Sequence, residues 1–423
     1  MKNKMISATG IICVVFSGLF SFNIMAQQVT LDLCYEKARA NYPLVRQYDI
    51  LQETEELNLA NISKGLLPQI GFYAQATYQS GVITLPFSIP NAEIDVPARD
   101  QYKAYFEVSQ NIYDGGLNKA QKQQQKLSSE TAKDQLDVEI YKLKENVLAA
   151  FFGIILSDEQ LSVIDIAQSD LDLAIQKAQA SVDHGVALRS SLSVLKAERL
   201  KNDQRKTEIN FNRIYLVRLL SVLTGENLDH ATFVRPEEVL AVTAITRPEL
   251  QLIRSQMDLA LFKEELIKIK NRPRLSAFVQ AGVGRPAFNF LSNNLDPYYI
   301  GGIRLTVPLT GFYTKGRELS LVALDRNALR LQEESFLFHL EQQNVRQNTE
   351  VEKLNELIAQ DDEIIVLRSD IKRTALAQLE NGVINSSDYL RELNAEEAAR
   401  QNKALHGIQK LQAIHTQLLI NGN

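Results

Sequence analysis

Two very long stretches without proline constrain this chain more than any other feature. Residues 115–225 hold no proline, and between the end glycines only Gly116, Gly153 and Gly185 interrupt the run. Residues 309–423 hold none either, so all eleven prolines lie before or between the two runs. Proline costs about 3 kcal/mol inside a helix, and its absence over such lengths predicts helix. Gly185, in Ser181-Val-Asp-His-Gly-Val-Ala-Leu188, marks a tight reversal, as does Gly382 in Leu379-Glu-Asn-Gly-Val-Ile-Asn385. Glycine takes left-handed backbone angles there without steric cost. Each run is therefore read as a helical hairpin. The first arm, 117–183, would be roughly 100 Å long at 1.5 Å per residue, too long for a compact domain to enclose.

Hydrophobic residues make up 45 % of the chain and charged residues 23 %, which argues against disorder. The formal charge of −5 gives no basic surplus, so no nucleic-acid partner is expected. Residues 1–26 read as a secretory signal, with Lys2 and Lys4 ahead of an apolar stretch and the small Ala26 before the cut. That apolar stretch is shorter than the ~20 residues of a membrane span. Cys13 would leave with the signal. Cys34 then stands alone, and no intramolecular disulfide can form. No later run of about 18 apolar residues occurs, so no membrane helix is expected. The chain is then periplasmic, secreted or an outer-membrane barrel.

Outside the long runs the period changes to two. Ile70, Phe72, Ala74, Ala76 and Tyr78 alternate with Gln69, Gly71, Tyr73, Gln75 and Thr77. Similar alternation predicts strands over about 67–80, 101–113, 273–285 and 299–310. Residues 81–99, with Pro86, Pro90 and Pro97, read as a loop, and 226–246 as irregular. The programme runs twice. Asn41-Tyr-Pro43 and Arg247-Pro248 open helices; Leu67-Pro68 and Arg272-Pro273 open strands. Leu195-Lys-Ala-Glu198 after the first turn matches Leu393-Asn-Ala-Glu396 after the second. The expected domains are a signal at 1–26, a first repeat at 27–236 with its hairpin at 117–224, and a second repeat at 237–423 with its hairpin at 315–420. Each is a helix–strand–strand–long-hairpin unit.

Each predicted strand is long enough to cross a bilayer when tilted, and each has one apolar and one polar face. Tyr and Phe near the strand ends suit interfacial girdles. Yet four strands cannot close a barrel, which needs about eight. Open sheet edges are forbidden in hydrocarbon, so spanning strands require several chains to share one barrel. The alternative is a pair of soluble sheets capping a coiled coil, in a periplasmic scaffold or adaptor protein.

The order of these motifs resembles the TolC family of outer-membrane efflux proteins. The resemblance rests on the strand exits Val108-Ser-Gln-Asn-Ile-Tyr-Asp-Gly-Gly116 and Leu305-Thr-Val-Pro-Leu-Thr-Gly311, on the turns at Gly185 and Gly382, and on Leu219-Leu-Ser-Val-Leu-Thr-Gly225. It implies a mainly α fold with membrane β-strands. Three chains would form a helical tunnel continued by a shared 12-stranded barrel in the outer membrane, the helices extending into the periplasm. It implies a passive, porin-like exit duct for efflux or type I secretion. A periplasmic adaptor (membrane fusion protein) would link the duct to an inner-membrane pump of RND, ABC or MFS type. By this resemblance Gly185, Val186, Gly382 and Val383 are the adaptor-docking tips. Asp388 matches an acidic position at the tunnel entrance. Where the family often has a second acid one turn on, this sequence has Arg391, with Glu392 beside it. Three copies of Asp388 would form a negative ring, which Arg391 would weaken by pairing at helical spacing.

No enzyme chemistry is legible and no cofactor or metal is implied. His184, His230, His339, His406 and His415 lack ligand spacing. The stretch 311–317 has the glycine spacing of a phosphate loop but lacks Lys-Ser/Thr after the second glycine. Asp361-Asp-Glu363 reads as a solvated helix face.

Overall fold

The computed structural model describes residues 28–83, 98–239, 244–289 and 292–422. The expected signal at 1–26, with Cys13, lies outside the described residues, as does most of the proline-containing loop at 81–99. The chain begins with β1 (Gln28–Val29), α1 (Leu31–Asn41) and α2 (Gln47–Lys64), a 3-10 turn over Pro43–Arg46 lying between the two helices. Then come β2 (Gln69–Tyr78), β3 (Asp100–Tyr113), α3 (Leu117–Tyr141), α4 (Leu143–Asp183) and α5 (Arg189–Thr224). After β4 (Thr232–Phe233) the order recurs as α6 (Pro248–Lys270), β5 (Arg274–Arg285), β6 (Asp296–Thr306), α7 (Phe312–Glu380) and α8 (Ser386–Asn421).

The helices start and stop where backbone groups find local partners. The Thr30 hydroxyl accepts from the Leu33 N–H at 3.3 Å and caps α1. Asp114 caps the long arm, one oxygen accepting from the Gly116 N–H at 2.8 Å and the other from the Asn118 N–H at 2.7 Å. Proline opens α6 at its first position, where its missing N–H has no intrahelical partner to lose. The 69 residues of α7 are unbroken and run about 100 Å. The matching arm, expected as one helix over 117–183, has a joint at Lys142. The backbone there stays right-handed, with φ −59° and ψ −23°, and the Glu145 N–H reaches Lys142 O at 3.3 Å. That is one tighter, 3-10-like turn rather than a break.

The strand–helix junctions are closely packed, one contact joining the repeats and one lying within the second. The Arg272 guanidinium donates to Gly115 O at 3.3 Å, and a Cβ on Gly115 would lie 3.0 Å from Arg272 Cβ. Asn271, at the end of α6, packs so closely on Gly311 that a side chain there would overlap its Oδ1.

The strands form one antiparallel sheet in the order β2-β3-β5-β6. β6 starts earlier than expected and stops at Thr306 rather than near 310. Pro308 has no N–H to give a ladder, which explains the early end. β1 and β4 pair in parallel, Val29 opposite Phe233, inside the stretch expected to be irregular.

The main core lies where α1, α4, α5, α8 and β4 meet. Phe151, Phe152, Ile154 and Leu220 are at most 1 % exposed. Phe151 stands edge-on to Phe233 at 5.7 Å. One window of the 117–183 arm is long and apolar enough to cross a membrane, with mean hydropathy 1.7, contrary to the expectation of no such helix. It is 56 % buried inside the protein, and its apolarity belongs with this core, which takes Val147, Leu148, Phe151 and Ile155 from the same arm. Cys34 is buried here too, and burial pushes its thiol up to about 12, beyond reactive range.

Replacing Phe151 with alanine should lower stability by about 3–5 kcal/mol, because the site is enclosed and cannot collapse. Denaturant unfolding followed by helical circular dichroism measures this; a loss below about 1 kcal/mol would contradict the assigned core.

Candidate functional site

Three regions matter: the hairpin tips, the helix after the second tip, and the sheet. At the first tip the Val186 N–H donates to Ser181 O at 2.9 Å and the Gly185 N–H to Val182 O at 3.0 Å. At the second, the Val383 N–H donates to Gln378 O at 2.8 Å and the Gly382 N–H to Leu379 O at 3.1 Å. Both are Schellman closures, which need a left-handed residue. Gly185 supplies φ +73° and Gly382 φ +70°. Once the helix ends are tied off, the next side chain points outward. Val186 is 78 % exposed and Val383 69 %. Each tip thus offers an apolar knob on a rigid stem. Leu188, 72 % exposed, extends the first knob and was not singled out from sequence.

The tips differ in how the return helix starts. Leu188 makes no side-chain cap for α5. The Asn385 side chain caps α8, accepting from the Ser387 N–H at 2.9 Å and the Asp388 N–H at 3.0 Å. Asp388 therefore sits in a firm first turn, where a carboxylate suits the positive end of the helix. The Arg391 guanidinium lies 3.6 Å from the Asp388 carboxylate and 3.1 Å from Glu392. Glu392 is also held by Arg368 of α7 at 3.2 Å. The structure thus brings Asp388, Arg391 and Glu392 into one chain of charges, with Arg391 the most exposed member.

One cluster escaped the sequence reading. Lys372 of α7 reaches Asp170 of α4 at 2.6 Å and Glu396 of α8 at 2.5 Å. Arg400 meets Glu396 from the other side at 2.8 Å. The Glu396 side chain is only 3 % exposed. This clasp ties the second hairpin to the first, just behind Tyr389, Leu171, Leu195 and Leu393, which form a second small core. The only sequence signal was Glu396 in the repeated Leu-x-Ala-Glu motif. Asp361, expected on a solvated face, is buried instead, and His406 Nδ1 lies 2.6 Å from its carboxylate. Asp362 and Glu363 are exposed as expected.

The sheet separates its side chains by chemistry. Ile70 faces Val108, which faces Val279; Phe72 faces Phe106, then Ala281, then Tyr299. These are exposed residues, Ile70 at 73 %, Ile303 at 70 % and Leu305 at 65 %. Such an extended open apolar surface does not suit a chain surrounded by water. The other face carries Gln75, Lys103, Glu107, Gln280 and Arg304. Among the described residues both outer strands, β2 and β6, pair on one side only.

Among the described residues no group of His, Cys, Asp and Glu is arranged to hold a metal. The model of the outer membrane efflux protein family matches residues 34–223. No curated protein sequence matches the chain. Several solved structures share the fold. The CmeC outer membrane channel of Campylobacter jejuni is 14 % identical, with a TM-score of 0.64 over 93 % of this chain and 85 % of that one. CusC is 11 % identical, with a TM-score of 0.68 over 93 % and 92 %. VceC of Vibrio cholerae, an outer membrane protein, is 12 % identical, with a TM-score of 0.63 over 93 % and 96 %.

The clasp makes a pH-dependent contribution of known sign. Burial alone pushes the Glu396 carboxyl up, but Lys372 and Arg400 outweigh it and hold the group below its ordinary 4.5. Its stabilisation is therefore complete above 4.5 and is lost as pH falls through the lower folded value. Lys372, net raised by the same pairs despite burial, loses its share only as pH rises above 10.5. Glu396→Gln should cost about 2–4 kcal/mol near neutrality and flatten the acid limb of the stability profile. A variant as stable as the parent at pH 7 would contradict the clasp.

Proposed function

From this chain's place in the TolC family of outer-membrane efflux proteins, we propose that it forms an exit duct in the outer membrane. The duct is passive and is loaded from the periplasm. One observation carries this reading: a four-stranded sheet with an exposed apolar face and two unpaired edges. Hydrocarbon suits the face and forbids the edges, since each unpaired backbone group there costs several kcal/mol. Three copies joined β6 to β2 close a 12-stranded barrel and leave no edge. The two repeats, 27–236 and 237–423, then contribute equivalent pairs of strands to the wall and equivalent hairpins to the tunnel below it.

The tips at Gly185–Val186 and Gly382–Val383 dock the periplasmic adaptor, which connects the duct to an inner-membrane pump of RND, ABC or MFS type. Their exposed valines suit burial in a partner's helical groove, and the Schellman turns present them without an entropic penalty for ordering. Asp388, repeated three times around the axis, gives the entrance a negative ring. Arg391 moderates that ring in each copy. The same design serves efflux and type I secretion, because the pump selects the cargo.

Fractionation separates this reading from a soluble periplasmic scaffold: the protein should stay with outer membranes and need detergent for release, whereas recovery in the soluble periplasm would overturn it. Gly382→Pro should abolish export while leaving the protein in the membrane. Proline can neither adopt the positive φ nor donate to Leu379 O. Normal export by that variant would remove the tip from docking. Asp388→Ala should reduce cation preference in single-channel recordings, and unchanged selectivity would remove Asp388 from the entrance.

A further inference from the structure

On the polar face of the sheet, three tyrosines form a row interleaved with glycines. Tyr73 of β2 and Tyr105 of β3 are register partners, their rings stacked at 5.3 Å with planes 23° apart. The next position in that row is Gly282 of β5, followed by Tyr298 of β6. With no side chain at Gly282, Tyr105 and Tyr298 close across it to 6.4 Å. A Cβ at Gly282 would lie 2.5 Å from Tyr105 Cα. Gly71 lies beneath the Tyr73 ring, where a Cβ would come within 2.8 Å of it. The Tyr73 ring thus lies back along its own strand, and Tyr73 keeps 50 % of its surface open.

On one side of this row the charge is negative. Glu107, two residues from Tyr105 on the same face, accepts from the Gln280 amide at 2.6 Å and has no cationic partner among the described residues. On the other side of the row, Lys103 shares its register row with Asp296, so that side carries one charge of each sign. Arg304 is committed to the Phe278 ring, 4.6 Å from its centroid.

We propose that this aromatic floor is a cargo-contact site inside the barrel, taking planar aromatic cations. Stacking and cation–π attraction act through the tyrosines, and Glu107 supplies the counter-charge. The proposal rests on the duct reading, in which the apolar face meets lipid and the tyrosine face therefore lines the passage. Three chains would place three such floors around one lumen. A weak, repeated contact of this kind slows cargo without trapping it, as conduction requires.

The test is current blockade of the assembled protein in a planar bilayer, with ethidium as the probe and tetrapropylammonium as a non-aromatic cation. Ethidium should produce resolved blockades, and their dwell time should fall about five-fold in Tyr105→Leu and survive in Tyr105→Phe. Glu107→Gln should shorten the dwell further at low salt than at high salt. Tetrapropylammonium should not distinguish these variants. Should Tyr105→Leu fail to assemble, Tyr73→Leu on the outer strand carries the same expectation. Conducting wild-type pores that ignore ethidium, or blockades equal in the parent and the leucine variants, would overturn the proposal. They would leave the tyrosines only to cover sheet glycines. Wild-type protein with no ionic conductance at all would instead defeat the duct reading, and this proposal with it.

Discussion

In hydrocarbon, every backbone N–H and C=O must find a partner within the protein. That demand, set against a sheet of only four strands, organises the rest of the molecule. The inner strands β3 and β5 pair on both sides, while among the described residues β2 and β6 each keep one free edge. A water-soluble protein would blunt such edges and cover the apolar face. This chain leaves both open, Phe72 and Phe106 at 61 % and 59 % exposure among them. Association with sister copies, as proposed, would supply the partners that these edges lack.

The helical half solves a different problem, which is holding rods of about 100 Å in register. Propensity alone does not do this. Register comes from discrete fastenings spaced along the rods. At the sheet end, Arg272 on Gly115 locks the second repeat to the first, and Asn271 against Gly311 fixes the second repeat's own strand–helix junction. Midway, the Phe151 cluster binds α1, α4, α5 and α8, with the short β1–β4 pair beside it. Near the tips, the Lys372–Asp170–Glu396 clasp and the Tyr389 cluster tie one hairpin to the other. The clasp is charged where the other fastenings are mainly apolar. A charged contact has strict geometry, so it fixes the relative placement of the two hairpins more narrowly than apolar packing would.

Much of this was legible because its signals are periodic or local. Proline-free runs mark the hairpins, Gly185 and Gly382 mark reversals that need positive φ, and two-residue alternation separates the faces of β2, β3 and β5. The mainly α architecture with membrane-type strands and the TolC-family resemblance both follow from those signals, and the fold matches solved outer membrane channels. What escaped has no period. β1 and β4 are two residues each, too short for alternation to register. The end of β6 was decided by Pro308 against an apolar alternation that runs on to Leu309. The clasp joins Asp170 to Lys372 across 202 positions, a distance at which sequence spacing says nothing. Asp361 looked solvated because its neighbours are charged, yet the helix turns it inward onto His406.

The most direct measurement of the central claim is the mass of the assembly released from membranes in mild detergent. The account predicts a particle of three chains, because only shared strands satisfy the edges of β2 and β6. A well-folded single chain, stable in detergent with its sheet intact, would contradict it.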